Sequence, residues 1–582
     1  MCDRTFVRVA CASDGKSRVA PPTQRGDGPP IGHNFRRVGF CARAPPTMSD
    51  PPNKKAKNGA PVDGLPVQRT PSLQPMQHEN PTPQSWVPPT SYATKSDKIV
   101  CIMVGLPARG KSYISRRLAQ YISFFYGAPT KVFNVGDYRR KEAGGSFQSA
   151  EFFDKKNAEA MAARQKASQD ALADLSRWMA EVTPNRLEAP GSDLYLSGDF
   201  GAMAIFDATN TTRERRAWIA QQLSDVGAKL IFIESICRDE KIVLENILAT
   251  KVGVKDYEGV DTSTAVTDFE ERIRKYEEVS ASKLHTTPPP HSSPISHTPL
   301  SYKLSQVYEE LGPEERHLTW IKMVDGGREM SMNNIRGFLP SRIAQFLVNL
   351  HVDRRSFFFS RHGQSEYNRL GKIGGDSDLT EHGEKYALAL GDWVYTNVMH
   401  TPDGTPIPGR LWTSSLLRTR QTARHIPHPT IQYKTPSGNT AEWVQMRPKA
   451  FRNLDEIYAG LCDGMTYEEV ADAYPDEAKA RKADKFNYRY PRGESYTDLI
   501  ARLEPLAHEL ERLREPVVIV AHQAILRVLY AYFMGLPRNK CYDVSIPLNT
   551  VIKITPNANG CENERILVLK HPPGEQLDPA SH

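Results

Sequence analysis

The feature that most constrains the fold is a hydrophobic strand that runs directly into a glycine-rich loop. KIVCIMVG (98–105) leads into GLPARGKS (105–112), and the helical stretch YISRRLAQYISFF follows. A continuous apolar run of this kind is typical of a strand covered on both faces. The loop fits G-x-x-x-x-G-K-[ST], in which backbone N–H groups and the helix N-terminus bind the phosphates of a nucleotide. A chance glycine-rich turn is the alternative, and the flanking strand and helix disfavour it.

Short apolar runs recur along the chain and alternate with helical segments. This alternation predicts parallel α/β sheets, in two separate units that join near residues 340–355. The first series of strands is KIVCIMVG, KVFNV (131–135), MAIFD (203–207), KLIFI (229–233) and HLTWIKMV (317–324). The second series is SFFFS (356–360), RLWTSS (410–415) and VVIVA (517–521), with helices predicted over EEVADAYPDEAKAR (468–481) and YTDLIARLEPLAHELERLR (496–514).

The first 95 residues differ in composition from the rest. They hold 16 of the 44 prolines, and their 13 Lys and Arg against 6 Asp and Glu account for the whole net charge of +7. A proline-rich segment without hydrophobic periodicity is predicted to be disordered. HTTPPPHSSPISHTPL (285–300) is predicted to be an exposed loop for the same reason. Because the charge of the remaining chain is balanced, we predict no nucleic-acid partner.

The sequence also disfavours a membrane protein and a disulfide-rich protein. No run approaches the ~18 consecutive apolar residues of a membrane-spanning helix, so we predict no membrane association. The eight cysteines are scattered without CxxC spacing, which argues against a zinc module or a disulfide framework and favours a reducing cytoplasm.

The first candidate site surrounds the glycine-rich loop. Lys111 is predicted to reach the β- and γ-phosphates of a nucleotide, and the Ser112 hydroxyl to ligate Mg²⁺. Asp207 ends a predicted strand, where open α/β sheets bind ligands, and is a candidate to hold Mg²⁺ through water or to orient an acceptor hydroxyl. A turn or helix-capping acid is its alternative.

Arginines near this loop indicate a second anionic substrate, because the planar guanidinium binds phosphate through two N–H groups. Arg213, Arg215 and Arg216 follow Asp207, and Arg139 with Arg140 follows another strand. A solvated helix face is the alternative for any one of them. Cys237 also follows a strand, and spacing alone assigns it no chemistry.

The second candidate site contains two histidines that follow strands. Arg361 and His362 lie in SFFFSRHGQSEYN, and His522 lies in VVIVAHQAILR. A neutral imidazole can attack phosphorus to give a phosphohistidine, with arginines neutralising the phosphate oxygens. Arg418 and Arg420 are candidates for a further arginine. Asp455 or Glu456 would protonate the leaving oxygen, and spacing does not choose between these two carboxylates.

In their order along one chain, these motifs resemble the bifunctional 6-phosphofructo-2-kinase/fructose-2,6-bisphosphatase family. The resemblance rests on GLPARGKS, FDATNTTRERR, ESIC, RHGQSEYN, LDEIYAG, YPRGESY and AHQA and spans about residues 96–570. It implies a P-loop kinase fold followed by a histidine phosphatase (phosphoglycerate mutase-like) fold. ATP and fructose 6-phosphate would give fructose 2,6-bisphosphate in the first, and the second would hydrolyse the 2-phosphate. The implied organisation is a disordered tail (1–95), a kinase domain (96–355), a phosphatase domain (356–570) and a C-terminal tail (571–582).

The resemblance also implies roles for individual residues. Asp207, Cys237, Lys111, His362, Glu456 and His522 match catalytic or active-site positions, although a direct chemical role for Cys237 stays open. Positions matching the ATP site are Gly105, Leu106, Pro107, Ala108, Arg109, Gly110, Lys111, Ser112, Tyr113, Asn246 and Lys251. Positions matching the fructose 6-phosphate site of the kinase are Arg139, Arg164, Thr209, Arg215, Lys251, Arg272 and Tyr276. Positions matching the phosphatase substrate site are Arg361, Asn368, Gly374, Arg418, Tyr467, Arg481, Lys485, Tyr496, Gln523 and Arg527.

Two departures from the family pattern leave alternatives open. Gln364 stands where the pattern usually has Glu, which loses a charge and raises the alternative of a one-way kinase with a weak phosphatase half. TKVGVKDY (250–257) differs from the usual Ser-Pro before Asp-Tyr. A non-catalytic sugar-phosphate-binding regulator and a nucleic-acid kinase-phosphatase are further alternatives, disfavoured by the retained catalytic set and the balanced charge. The resemblance implies a homodimer, and Thr70 and Ser72 in the basic tail are predicted targets of protein kinases.

Overall fold

The computed structural model describes most of the chain beyond the N-terminal tail. The described residues are 98–142, 152, 157–182, 201–239, 243–244, 246–247, 267–268, 270–271, 273, 308–351, 353–435, 438–557 and 560–571. They all belong to one compact unit, Thr82–His582. The predicted disordered tail, the 285–300 insertion and almost all of the C-terminal tail lie outside them. Among the described residues, no helix has both the length and the hydrophobicity needed to cross a bilayer.

The first sheet has six strands, in the spatial order β2-β3-β1-β4-β5-β6. The strands are β1 (Ile99–Val104), β2 (Thr130–Asn134), β3 (Met203–Asp207), β4 (Lys229–Ile236), β5 (Trp320–Val324) and β6 (Glu329–Asn333). β1 to β5 are parallel, as predicted. β6 was not predicted and is antiparallel to β5, because the short turn between them leaves no room for the crossover that a parallel pair needs.

Helices lie beside this sheet in the part of the chain that the structure describes. Those described over their whole length are α1 (Lys111–Tyr126), α2 (Val135–Glu142), α3 (Ala158–Glu181), α4 (Arg213–Gln222) and α5 (Phe338–Asn349). β1 is buried on both faces, because its side chains alternate between two clusters. Val100, Ile102 and Val104 pack in one cluster with the apolar side of α3. Ile99, Cys101 and Met103 pack on the other face in a cluster that contains α1.

The second sheet also has six strands, in the order β11-β8-β12-β7-β13-β14, and a separate hairpin pairs β9 with β10. In chain order the strands are β7 (Phe357–Arg361), β8 (Arg410–Thr413), β9 (Thr430–Lys434), β10 (Thr440–Val444), β11 (Pro448–Ala450), β12 (Val517–Ala521), β13 (Thr550–Asn557) and β14 (Gly560–Leu567). β7, β8, β11 and β12 are parallel. The expectation of a wholly parallel sheet was wrong at the other edge, where β13 runs antiparallel to both of its neighbours.

Seven helices belong to the second half of the chain. They are α6 (Glu366–Arg369), α7 (Glu381–Asn397), α8 (Leu417–Ala423), α9 (Tyr467–Ala473), α10 (Pro475–Ala483), α11 (Tyr496–Arg512) and α12 (Gln523–Met534). The single helix predicted over 468–481 is in fact two, α9 and α10. Pro475 is the first residue of α10, and Tyr474 before it is not helical, because proline lacks the N–H that would continue the preceding helix.

The two sheets share one hydrophobic core. The cluster on the α1 face of β1 continues through α5, α11 and α12 to residues of the second sheet such as Phe357 and Ile519. Tyr121 of α1 stacks on Phe346 of α5, with ring centroids 4.4 Å apart. The halves that the sequence separates are therefore packed through a common apolar interior, in which each fully buried large side chain contributes about 1.5–3 kcal/mol.

A buried ionic cluster lies within this interior. Glu511 of α11 forms ion pairs with Arg117 of α1 and with Arg355, and all three side chains are almost fully buried. Tyr532 of α12 donates its hydroxyl hydrogen to Glu511 at 2.8 Å. The Gln120 side chain of α1 donates to the Tyr532 carbonyl. Burial alone would favour the protonated, neutral form of the Glu511 carboxylate. The two cations and the phenol hydroxyl instead stabilise its charged form.

Candidate active sites

The glycine-rich loop has the backbone geometry that its sequence predicts. Gly105 has φ +136°, and a Cβ there would lie 2.4 Å from the Ser235 carbonyl oxygen, so only glycine fits. Gly110 has φ +81° and immediately precedes α1, which begins at Lys111. The Gly105 N–H donates to the Thr209 carbonyl at 2.8 Å. The loop therefore opens at the N-terminus of α1 while its start is fixed against β4 and the loop after β3.

The predicted loop residues and Asp207 come together at the carboxyl ends of β1, β2 and β3. The Ser112 hydroxyl donates to Asp207 Oδ2 at 2.7 Å, and the Asn134 amide donates to the same oxygen at 2.5 Å. Lys111 Nζ donates to the Leu106 carbonyl at 2.6 Å, curled over its own loop. Asn134 was not predicted from the sequence, although it ends a strand beside β3.

Other candidates of the first site lie on helices around this crevice. Arg139 is half-buried on α2, and Arg164 Nε on α3 donates to the Ala160 carbonyl at 3.2 Å. Arg215 donates to the Gln165 and Ser168 side chains and lies over the Trp218 ring. Those partners are neutral, and burial lowers the Arg215 pKa to about 10. Lys251, Arg272 and Tyr276 lie outside the described residues.

Arg216, which the sequence grouped with the phosphate-binding candidates, is instead structural. Its guanidinium is fully buried, donates to both Glu315 oxygens at 2.6 and 2.8 Å, and donates to the Asn210 carbonyl at 3.3 Å. The Asn210 amide in turn donates to the Met103 carbonyl at 2.8 Å. This pair fixes the loop that carries Thr209 against β1. The pattern of apolar residues in α4 does not distinguish the buried Arg216 from an arginine on an exposed helix face.

A pocket beside the loop has an apolar lining. Tyr113, Cys237, Asn246 and His351 are among its residues, and the Asn246 amide donates to the Ala108 carbonyl at 3.2 Å. The Cys237 thiol donates to the Asp239 carbonyl at 3.6 Å. Burial raises the pKa of this thiol. Cys237 is therefore placed to contact a ligand of the pocket as a protonated thiol rather than to act as a nucleophile.

The second site contains His362 and His522 at the ends of the adjacent strands β7 and β12. Their rings are 5.1 Å apart and both are buried. His362 Nδ1 is 2.7 Å from the Gly363 carbonyl; because a carbonyl only accepts, Nδ1 carries the hydrogen and Nε2 keeps its lone pair. His522 Nε2 is 2.7 Å from the Ser414 hydroxyl. Burial, Arg418 and Arg361 hold the pKa of His362 well below its ordinary value.

Two arginines lie close to these imidazoles. Arg361 donates to the Ile546 carbonyl at 3.3 Å, and Arg418 donates to the Gly375 carbonyl at 2.6 Å. Both guanidiniums lower the pKa of His522 as well as that of His362. Arg420, the other arginine considered from the sequence, is exposed on α8. The arrangement is a neutral nucleophile beside concentrated positive charge.

The structure separates the two carboxylates that spacing left equivalent. Asp455 accepts hydrogen bonds from the Ser415 backbone and hydroxyl at 2.7–2.9 Å. Glu456 lines the same pocket as His362, and its Oε1 accepts from the Ile457 N–H at 2.9 Å. Only Glu456 is therefore placed to exchange a proton with a ligand on His362.

This pocket, about 890 Å³ including its open mouth, extends from the histidines to a second group of cations. Arg481 donates to the Tyr490 and Tyr467 hydroxyls at 2.9 and 3.0 Å, and Arg527 donates to the Val544 carbonyl at 2.7 Å. Of the predicted substrate residues, these line the pocket: Arg361, Asn368, Gly374, Arg418, Tyr467, Arg481, Lys485, Tyr496, Gln523 and Arg527. Sequence reasoning missed Tyr490, Lys372 and Tyr488, which line it too.

Gln364 is buried beside the start of α7. Its side-chain oxygen accepts from the Thr380 hydroxyl at 2.8 Å, and its carbonyl accepts from the Thr380 N–H at 2.9 Å. A carboxylate would accept the same hydroxyl hydrogen. Glutamine at this position therefore keeps an acceptor for the Thr380 hydroxyl, carries no charge, and has an NH₂ donor in place of the second carboxylate oxygen.

Comparisons with known proteins agree with this division of the chain. Residues 88–185, 192–282 and 301–354 match the family described as 6-phosphofructo-2-kinase, and residues 357–568 match the histidine phosphatase superfamily, branch 1. The chain is 40% identical to 6-phosphofructo-2-kinase/fructose-2,6-bisphosphatase 1 of Rattus norvegicus, covering 80% of this chain and 83% of the relative. A relative from Caenorhabditis elegans, also described as 6-phosphofructo-2-kinase/fructose-2,6-bisphosphatase, is 38% identical, covering 80% and 88%.

Proposed function

This chain belongs to the 6-phosphofructo-2-kinase/fructose-2,6-bisphosphatase family, and from that premise we propose how its two sites carry out the two reactions. The chain synthesises fructose 2,6-bisphosphate from fructose 6-phosphate and ATP, and it hydrolyses the product back to fructose 6-phosphate. The observation that carries this assignment is the presence of two crevices in one unit, one with Lys111, Ser112 and Asp207 and one with His362, His522 and Glu456.

In the first crevice, the loop N–H groups and Lys111 bind the β- and γ-phosphates of ATP. Ser112 and Asp207 present the oxygen ligands that Mg²⁺ prefers and would hold the ion there. Mg²⁺ would neutralise phosphate charge. The 2-hydroxyl oxygen of fructose 6-phosphate attacks the γ-phosphorus, the bond from that phosphorus to the β-phosphate oxygen breaks so that ADP leaves, and the hydroxyl proton passes to water. Arg139, Arg164, Thr209 and Arg215 bind the sugar phosphate, with Lys251, Arg272 and Tyr276. Cys237 and Asn246 contact the nucleoside part.

In the second crevice, His362 Nε2 attacks the 2-phosphorus while the sugar oxygen leaves with a proton from Glu456. Arg361, Arg418 and His522 bind the phosphoryl oxygens as charge develops. Water, deprotonated by Glu456, then attacks the phosphohistidine and releases phosphate. Arg481, Lys485 and Arg527, with Tyr467 and Tyr496, bind the 6-phosphate at the far end of the pocket. Asn368, Gly374 and Gln523 shape the pocket between its two phosphate sites.

Two variants of the full chain test this assignment. Lys111→Met is expected to abolish ATP-dependent formation of fructose 2,6-bisphosphate and to retain its hydrolysis, and His362→Ala is expected to do the reverse. Both activities are measured on one purified sample of each protein, after circular dichroism has shown that it is folded. Loss of both activities in either folded variant would contradict two separate sites.

We also propose that the chain forms a homodimer in the cytoplasm. In support, β6 is the edge strand of the first sheet, and its Met332 is 42% exposed; such an edge is a template for pairing with a second chain. Met332→Lys is expected to lower the mass measured by light scattering, and an unchanged mass would place the interface elsewhere. Thr70 and Ser72 stay proposed targets of protein kinases.

A further inference from the structure

Lys485 occupies an unusual position for a lysine. It lies just after α10 and lines the pocket together with Arg481 and Arg527. Its ammonium is 5.7 Å from the centre of the Tyr542 ring. No Asp or Glu within the part of the chain that the structure describes forms an ion pair with it. Its near neighbours are thus two cations and an aromatic face.

This environment disfavours the charged form of the amine. Burial, Arg481 and Arg527 lower the Lys485 pKa from 10.5 to about 8, and Asp543 opposes them only in part. At pH 7 roughly a tenth of such lysines are neutral, against about 0.03% for an ordinary lysine, a difference of about 300-fold. Only the neutral amine is a nucleophile, so a larger fraction of Lys485 than of a surface lysine is in the form that can react.

The same neighbours make an anion site around the amine. Arg481 uses two N–H groups on the Tyr490 and Tyr467 hydroxyls, and Arg527 uses its Nε on the Val544 carbonyl. These acceptors are uncharged, so both guanidiniums keep their full charge and further N–H donors for an incoming phosphate. A phosphate bound here brings the rest of its molecule next to Lys485.

We propose that Lys485 is a site of reversible covalent modification by small phosphorylated aldehydes, with Arg481 and Arg527 binding the phosphate. This rests on the proposed function, in which the same arginines bind the 6-phosphate. The amine nitrogen attacks the carbonyl carbon, a proton passes from nitrogen to oxygen, and the carbinolamine loses water to give an imine. No oxidant or reductant takes part. The adduct fills the sugar-phosphate end of the pocket and blocks the phosphatase reaction.

The test uses pyridoxal 5′-phosphate as the phosphorylated aldehyde, on the full chain. Saturating Mg-ATP is present to cover Lys111 and Lys251, the lysines that the proposed function places in the kinase site. Borohydride converts the imine into a stable secondary amine, and mass spectrometry of peptides locates it. We expect label on the Lys485 peptide, a loss of phosphatase activity in proportion to it, and competition by inorganic phosphate. Pyridoxal, which lacks the phosphate, is expected to label at least about tenfold more slowly.

Two variants sharpen the result. Lys485→Arg keeps the positive charge but has no amine, and is expected to take up no label in this peptide. Lys372→Arg is the matched control, because Lys372 lines the same pocket with its ammonium over the Tyr367 ring, and is expected to label like the unaltered chain. Thermal unfolding midpoints establish that both variants are folded.

Other outcomes overturn the inference. Equal labelling by pyridoxal would show that the arginines do not recruit the phosphate. Label on Lys372, or unchanged labelling of Lys485→Arg, would place the reactive amine elsewhere. The rate of labelling is expected to rise with pH with a midpoint near 8, and a midpoint above 10 would contradict the altered amine. Because the label is detected by mass, it separates this inference from the proposed function. A chain that hydrolyses the substrate before treatment but takes up no label on Lys485 refutes the inference alone. A chain that takes up the label but showed no hydrolysis before treatment refutes the function.

Discussion

At the scale of single residues, the protonation state of His362 decides how the phosphatase site responds to pH. In the proposed mechanism the neutral imidazole is the nucleophile, and a falling pH removes it by protonation. Because burial and two arginines lower its pKa well below 6.5, the neutral form persists to pH values at which an ordinary histidine is already charged. His522, with its pKa lowered for the same reasons, also stays neutral.

The first prediction concerns this pH dependence. We expect kcat/KM of the phosphatase, which reports groups of the free enzyme, to show no acid limb with a midpoint near 6.5. A limb at that pH that persists when solvent-exposed histidines are replaced would contradict the neutral pair. In the same samples, substrate labelled at the 2-phosphate and quenched in alkali should leave acid-labile label on the protein, and His362→Ala should leave none.

The second prediction separates the two carboxylates. Glu456→Gln removes the group that exchanges a proton with the leaving oxygen, so we expect phosphatase kcat to fall by roughly 10²–10⁴-fold. Asp455→Asn is the matched control: it alters hydrogen bonds to Ser415 and is expected to cost much less. Rapid-quench measurements of the phosphohistidine show which step slows. A larger loss of phosphatase kcat in Asp455→Asn than in Glu456→Gln would assign the proton transfer to Asp455 instead.

Much of both sites could be predicted because their residues lie within short motifs. Lys111, Ser112, His362 and His522 each sit next to a hydrophobic strand, and parallel strands bring such positions to one edge. Arg216 and Glu315 could not be predicted in this way. They are 99 positions apart, and their contact depends on how the segment after residue 308 folds back over α4, which no local pattern records.

At the scale of elements, α1 connects the first site to the rest of the molecule. It begins at the phosphate-binding loop, and one turn and a half later Arg117 enters the ionic cluster with Glu511 and Arg355. α11 and α12 reach the same cluster from the opposite direction, since Tyr496 and Gln523 at their starts line the phosphatase pocket. Three helices that start at active sites therefore meet at one buried carboxylate.

The third prediction tests this junction. Glu511→Met leaves Arg117 and Arg355 buried without a counter-charge, and we expect the free energy of unfolding to fall by about 3–5 kcal/mol. The triple variant, with Arg117, Arg355 and Glu511 all replaced by Met, is expected to be more stable than Glu511→Met alone, because none of these three buried charges remains. Chemical denaturation of the full chains measures both. A triple variant less stable than Glu511→Met would mean that packing rather than charge dominates.

Some strands and helix boundaries could be predicted from the sequence pattern, and others could not. β3 and β12 were predicted to the residue, because a strand buried on both faces is a continuous apolar run. β13 and β14 were missed. β14, GCENERIL, is largely exposed and polar, and it is a strand only because β13 offers it hydrogen-bonding partners. Likewise, the helical periodicity over 468–481 correctly predicted helix on both sides of Pro475, but it did not predict the break between α9 and α10.

At the scale of the whole molecule, the two halves are distinct in sequence but continuous in their interior. Ile99 and Met103 of the first sheet belong to the same hydrophobic cluster as Phe357 and Ile519 of the second. α1, α5, α11 and α12 fill the space between the sheets. Separation along the chain was predictable from the two series of strands. The shared core could not be predicted, because the sequence of each of these helices is typical of an amphipathic helix that packs within its own half.

The fourth prediction follows from that interior. A fragment ending at residue 355 exposes the faces of α1 and α5 that the second half covers, and a fragment beginning at residue 356 exposes those of α11 and α12. We expect both fragments to be less soluble than the full chain and to bind a hydrophobic dye. Co-expression of the two is expected to restore a soluble complex. A soluble, monomeric first fragment with full kinase activity would show that the common core is dispensable.

The common core also limits how the protein can evolve. Two enzymes made from separate genes can be balanced against each other by how much of each is produced. Here the sites for synthesis and for degradation of the same metabolite are encoded in one chain, so they are always produced in equal numbers. Splitting the gene would leave two fragments with exposed hydrophobic faces. The ratio of the two activities can therefore change through substitutions that affect one site more than the other, but not through separate expression of two genes.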